Sequence, residues 1–283
     1  MIQLYNKTSS RTSKIITNLY STSFSLGIKT FHKKFREPIY NIYGFVRIAD
    51  EIVDTFHNHD KKYLLDKYKK DTFEAIEMGI STNPILHSFQ ITVREYNIDR
   101  ELINSFLKSM EMDLSISSHE KKSYDEYVNG SAEAVGLMCL KVFSKNNSKF
   151  YDELKPYAQK LGSAFQKVNF LRDIGDDINE RGRIYLPDVH KVSEVSDFNK
   201  AKFENEIEDE LNEAAKGIIR LPIGVRLGVY LAYIYYQALF KKLKGKSIEE
   251  IKTERIRISN IRKLNLLIKS YFQIRFINAS LNN

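Results

Sequence analysis

Two segments, "IYNIYGFVRIADEIVDTF" (39–56) and "FQKVNFLRDIGDDINERGRIYLP" (165–187), constrain this chain more than any other feature. At 100° per residue, Tyr43, Arg47, Asp50 and Asp54 fall on one narrow helical stripe with Glu51 at its edge. Gln166, Asn169, Asp173 and Asp177 form a second such stripe, flanked by Phe165 and Phe170. Ile42, Phe45, Ile48, Ile52 and Val53 cover the rest of the first helix, and Val168, Leu171 and Ile174 the back of the second. Either stripe taken alone could be a solvent face. A surface helix, however, has a broad polar side, whereas these stripes are slender and bordered by large apolar groups. Asp50/Asp54 and Asp173/Asp177 are also like-charge i,i+4 pairs, each costing about 0.2–0.5 kcal/mol in an isolated helix. Such repulsion calls for a neutralising partner.

The surrounding sequence supports an all-helical frame. Apolar residues recur at helical spacing, predicting helices over 10–28, 37–56, 60–79, 84–96, 99–115, 123–145, 149–180, 198–219, 223–244 and 260–277. No run alternates as a strand would. Turn formers or charges cluster at "HNHD", "STNP", "ERGRIYLPDVH" and "KGKS", and Asn83–Pro84 reads as a cap followed by a first-turn proline. With 12 Gly and 5 Pro in 283 residues, turns are few and elements long. No repeat or linker divides the chain, which reads as one all-α domain over 1–283.

Cys139 is the single cysteine, so no disulfide forms within the chain, and its setting in "VGLMCLKVF" is that of a small core residue. The first twenty residues hold no apolar core of signal-peptide length. The longest apolar run, Leu227–Phe240, is far short of the ~20 residues of a membrane span. A cytoplasmic protein is expected. The net charge of +8 fits an anionic partner. Nucleic acid is not the expected one, because the acidic stripes would repel its phosphates.

The stripes offer hard oxygen donors, carboxylates and amides, with no histidine or cysteine nearby. Such a set suits Mg²⁺ or Mn²⁺ over Zn²⁺. Mg²⁺ is commonly shared between one or two carboxylates and substrate phosphates. Arg47, Arg172, Arg181 and Arg183 accompany the acids, and guanidinium forks match phosphate oxygens two at a time. The pattern points to a magnesium–diphosphate site.

These residues resemble a known family. "YGFVRIADEIVD" and "QKVNFLRDIGDD…GRIYLP" are similar to the two Asp-rich segments of the squalene/phytoene synthases. "STSFSLG" (21–27) resembles their N-terminal element, and "YVNGSAEAVGLM" (127–138) their middle motif. The likeness runs in order over roughly residues 10 to 275, most like a bacterial phytoene synthase. It implies a single-domain class I isoprenoid (terpenoid) synthase helical bundle with a central cavity. In the family's reaction two prenyl diphosphates are joined head to head. Ionisation of the first gives an allylic cation, attack by the second gives a cyclopropylcarbinyl diphosphate, and rearrangement with proton loss gives phytoene from geranylgeranyl diphosphate.

Carried over position by position, the resemblance places Asp50, Glu51 and Asp54 in a first metal cluster and Asn169, Asp173 and Asp177 in a second, with Tyr43 among the catalytic groups. It assigns Ser21, Ser23, Arg47, Gln166, Arg172, Arg183 and Tyr236 to substrate, and loosely Arg255 or Arg257 to diphosphate. Phe24, Tyr43, Phe165 and Tyr236 are candidates for the aromatic wall of the cavity. No NADPH is expected for phytoene formation. Asn129 and Glu133 depart from the middle motif, where a second tyrosine and a glycine are common. The alternatives are a squalene or dehydrosqualene synthase using farnesyl diphosphate and a non-catalytic assembly-factor relative. Because substrate tails and product are hydrocarbon, peripheral contact with the inner membrane face through basic residues beside an apolar cavity mouth is also expected.

Overall fold

Helix starts coincide with side chains that satisfy otherwise unpaired backbone N–H groups. Asn83 accepts from Ile85 and Leu86, Asn147 from Phe150, and Ser247 closes a capping box with Glu250. The computed structural model describes the backbone of residues 1–281 and the side chains of residues 1–276; residues 282 and 283 of the expected domain lie outside it. The helices are α1 (Ile2–Tyr20), α2 (Thr22–Thr30), α3 (Lys33–Asp54), α4 (Lys61–Met78), α5 (Pro84–Tyr96), α6 (Arg100–Ser115), α7 (Lys121–Val128), α8 (Ala134–Ser144), α9 (Ser148–Asp176), α10 (Asp197–Ile218), α11 (Ile223–Lys244), α12 (Ile248–Thr253) and α13 (Asn260–Leu281). Among the described residues there is no strand, only a parallel bridge between Ser118 and Ile184.

Several boundaries differ from those predicted. The helix expected over 10–28 starts eight residues earlier and breaks at Ser21, whose extended backbone (φ −143°, ψ 97°) caps α2. The helix expected from 37 begins at Lys33 and runs through Pro38, because Phe35 packs in the core and outweighs the proline's missing donor. The helix expected over 123–145 is interrupted by a π-helical turn, Asn129–Glu133, and a second π turn, Asp177–Arg181, ends α9. Each π turn lies on a motif singled out above, a common position for such turns. The short α12 was not anticipated.

Two apolar clusters hold the bundle. One centres on α3, α5, α6 and α8, with Phe45 stacked on Phe89 at 3.9 Å; the other joins α9, α10, α11 and α12 through Leu171, Phe203, Ile207 and Leu243. A cavity of about 480 Å³ takes its wall from both. Its closure needs α2 and α11 to approach very closely: a Cβ on Gly228 would stand 2.6 Å from the Gly27 carbonyl oxygen and strike the Phe31 ring. No helix among the described residues is long and apolar enough to cross a membrane.

Candidate active site

Cavity-lining residues of α9 recur on one face, Leu154, Tyr157, Leu161, Phe165, Gln166, Asn169 and Arg172. At 1.5 Å per residue the cavity follows α9 for roughly 27 Å. The acidic residues lie one turn beyond its polar end. On α3, Tyr43 and Val46 line the wall and Asp50 and Asp54 follow; on α9, Arg172 is the last lining residue before Asp173 and Asp177.

The stripes face one another, joined by arginine. Arg181, carried on the second π turn, reaches Asp177 at 2.9 Å and Asp54 at 3.5 Å. Arg183 donates to Asp54 at 2.8 Å. Arg47 holds Asp50 at 2.5 Å and also pairs with Glu51 on its own helix, so Glu51 is enclosed and faces its neighbour rather than α9. Asp173 is bonded by the adjacent Arg172 at 2.8 Å and by Arg255, following α12, at 3.0 Å; Arg255 also reaches Asp176 at 3.4 Å. Of the two C-terminal arginines singled out, Arg255 reaches the acidic helix.

Behind Asp54 lies a network that sequence reasoning missed. Asp113, on α6, accepts from Tyr127 at 3.0 Å and Tyr185 at 2.7 Å, and its carboxylate stands 3.7 Å from Arg183. All four groups are buried. The segment after α9 is docked by Ile184 N–H to Ser117 O (2.8 Å) and Asp188 N–H to His119 O (3.0 Å), which sets Arg183 and Tyr185 beneath α6. One signal was available: Asp113 occupies an apolar-stripe position of α6 with Phe106 and Met110. Arg183, assigned to diphosphate from the resemblance, is already committed to Asp54, Tyr185 and the Val53 carbonyl.

The expected aromatic wall is present as two stacked pairs, Phe24–Tyr43 at 5.1 Å and Phe165–Tyr236 at 4.0 Å, all four lining the cavity. Tyr236 donates to Asn169 at 3.2 Å, tying the wall to the second acidic helix. Ser21, Ser23 and Gln166 lie on the same lining. Asn129 and Glu133 bond to each other at 3.3 Å, with Gln159 on Glu133 at 2.9 Å, and neither lines the cavity, although Ser131 and Ala132 between them do. Burial pushes Cys139 up to about 12, which leaves no thiolate for nucleophilic chemistry at neutral pH.

The oxygens fit a hard divalent cation that brings ligands of its own. Burial lifts Asp50 from 3.8 to about 6 against the pull of Arg47, and Asp177 from 3.8 to about 7 against Arg181. Asp50 keeps 35% of its side-chain surface open, so its burial is that of a dense crevice and not a dry core. Guanidinium charge alone is therefore insufficient compensation. Among the described residues no three carboxylate, histidine or cysteine side chains come close enough to hold a metal by themselves. A cation held here would need diphosphate oxygens or water to complete its shell.

The sequence pattern described as squalene/phytoene synthase matches residues 17–194. The chain is 28% identical over 175 residues to the presqualene diphosphate synthase of Rhodopseudomonas palustris, covering 60% of this chain and 61% of that protein. It is 27% identical over 284 residues to the chloroplastic phytoene synthase of Narcissus pseudonarcissus, covering 93% of this chain and 66% of that one. It thus spans less than two thirds of the length of these curated relatives. A crystal structure of a dehydrosqualene synthase in complex with ligand superposes with a TM-score of 0.81 at 20% identity, covering 96% of this chain and 98% of that one. The likeness establishes the all-α isoprenoid synthase fold.

Proposed function

Because the chain belongs to the squalene/phytoene synthase family, we propose that it joins two geranylgeranyl diphosphates head to head to give phytoene, as a prenyltransferase in carotenoid biosynthesis dependent on Mg²⁺ or Mn²⁺. One observation carries this reading: two acidic helices meet across Arg181 at the polar end of a long apolar cavity.

Asp50, Asp54, Asn169, Asp173 and Asp177 would hold the metal, with Glu51 the weakest member because Arg47 encloses it. A bound divalent cation supplies positive charge for the departing diphosphate. Arg47 and Arg172 exchange carboxylate for diphosphate oxygens as substrate enters, and Gln166, Ser21 and Ser23 add neutral hydrogen bonds at the same end. The apolar wall excludes water from the allylic cation. The faces of Tyr43, Phe24, Phe165 and Tyr236 stabilise it by about 0.5–2 kcal/mol each. Rearrangement of the cyclopropylcarbinyl diphosphate then requires a second ionisation at the same acidic end and proton loss, with no hydride donor.

The phytoene synthase relative aligned over 93% of this chain supports the C20 substrate. The presqualene diphosphate synthase relative and the dehydrosqualene synthase neighbour favour a second reading, C15. Purified protein supplied with Mg²⁺ and either diphosphate, with products identified by mass, decides between them. The expected outcome is a C40 hydrocarbon from the C20 diphosphate, identical with and without NADPH. A C30 product from farnesyl diphosphate alone would transfer the assignment to the second reading. Failure to release diphosphate from either substrate would overturn both.

A further inference from the structure

Helix α13 is apolar on two opposite sides. Its inner side packs Leu266 against the second core cluster and buries Ile274, and Lys263 and Leu266 line the cavity. The outer side presents Ile261, Leu264, Ile268 and Phe272 at spacings of three, four and four residues, exposed by 76, 56, 49 and 64%. Single exposed apolar residues are ordinary; a contiguous ridge along a helix marks a surface that is covered in use. Within the helix lie Arg262, Lys263, Lys269 and Arg275, and no acidic residue. Beside its C-terminal half lies a groove lined by Tyr271, Arg275, His32 and Ile223, the last of them 63% exposed. The exposed Lys33 and Lys34 follow His32 directly.

We propose that α13 docks this protein on an anionic phospholipid surface, the ridge lying among the acyl chains and the exposed Arg262, Lys269 and Arg275 among the headgroups, so that the cavity beneath it opens toward lipid. An interfacial helix combines such an apolar ridge with flanking cations and needs no spanning length. Each lysine or arginine near an anionic leaflet adds attraction screened by salt. Charge argues against a second copy as the cover: the helix holds no acidic residue, so a two-fold interface along it would gather its cations with no carboxylate of that helix to pair them. The purpose of the contact, delivery of an insoluble hydrocarbon, rests on the proposed function; the contact itself does not.

The test is co-sedimentation of the full chain with vesicles of phosphatidylcholine alone or with added phosphatidylglycerol, at low and high salt, alongside sedimentation equilibrium without lipid. The wild type is expected to bind only the phosphatidylglycerol vesicles, and more weakly in salt. Ile268→Glu with Phe272→Glu, and separately Arg262→Gln with Lys269→Gln, should each lower partitioning at least about tenfold. All four positions are exposed, so circular-dichroism melts should match the wild type. Absence of binding to phosphatidylglycerol vesicles at low salt, wild-type binding by the double glutamate variant, or a dimer that this variant dissociates would each overturn the proposal. Turnover of prenyl diphosphates without vesicle binding removes this inference and leaves the proposed function standing. Vesicle binding without turnover does the reverse.

Discussion

The two acidic helices carry the same D-x-x-x-D spacing and are held in opposite ways. Asp54 on α3, whose side chain is 21% exposed, is gripped by the buried Arg183, which is anchored to Asp113, itself buried and bonded by two buried tyrosines. Asp173 on α9 is held by its neighbour Arg172 and by Arg255, whose side chain is 43% exposed. Beyond α3 the backbone ends in an ordinary α turn, whereas α9 runs into a π turn that carries Arg181 across to α3. The contacts behind Asp54 thus lead inward to a buried network and those beside Asp173 outward to a partly exposed arginine, while the two carboxylates themselves are similarly enclosed, 21 and 17% of their side-chain surface being open. Damage behind the first should reach stability, and damage beside the second should remain with chemistry.

The sharpest test of the contrast is Asp173→Asn. The amide keeps the shape and loses the charge, so kcat should fall at least about 10³-fold, or ~4 kcal/mol of barrier. Stability should hold, because partly exposed ion pairs contribute about 0–1 kcal/mol and like-charge repulsion with Asp177 is relieved. Turnover near wild type would remove Asp173 from the reaction.

Asp113→Ala addresses the other side. It strands Arg183 and two phenols in the core, and urea unfolding should show a loss of about 3 kcal/mol together with lower kcat. Equal stability would mean that α3's carboxylates are not fixed by the core. The same residue has a pH signature. Burial, opposed by Arg183 and the tyrosine hydrogen bonds, raises Asp113 from 3.8 to about 7. Between these values the folded chain binds a proton that the unfolded chain has released, so this group's stabilising contribution falls as pH rises from 3.8 to about 7. Asp113→Asn should flatten that part of the stability–pH curve, measured by melts across the window.

Gly175→Ala probes the surface attachment. Gly175 lies between Asp173 and Asp177, and a Cβ there would collide with the Lys252 carbonyl oxygen of α12. Pushing α12 away should cost about 1–3 kcal/mol and draw Arg255 off Asp173, raising KM for the diphosphate. Unchanged KM would show that Arg255 does not act at this site. The smallest effect is expected for Arg255→Gln, with stability within about 1 kcal/mol of wild type and a few-fold rise in KM.

Much of this site was legible in the sequence, because each stripe is a local property: helical spacing puts Asp50 with Asp54, and Asp173 with Asp177, whatever the rest of the chain does. The aromatic wall residues were proposed alongside the resemblance, and their pairing, Phe24 with Tyr43 and Phe165 with Tyr236, joins separate helices. The π turns were not legible, since one extra residue in a turn leaves the apolar pattern on either side intact. Nor was the role of Tyr185, which depends on a contact with Asp113 across 72 residues of chain. Glu51 and Arg183 have partners that carrying roles across by position does not supply: Arg47 pairs with one, and Asp54 and Asp113 with the other.

By itself, then, the sequence determined that the chain is helical, that two of its helices carry narrow acidic stripes bordered by large apolar groups, and that hard oxygen donors and guanidinium forks accompany one another. Periodicity and side-chain chemistry act within a few residues, and both are readable one helix at a time. Tertiary structure alone decided which arginine bridges the stripes, that Asp113 backs the first of them, and that α13 keeps an apolar ridge outside. Those outcomes depend on close approaches between distant helices, such as Gly228 on Gly27 and Gly175 on Lys252, where backbone contact permits no side chain and sets the register of everything packed beyond it.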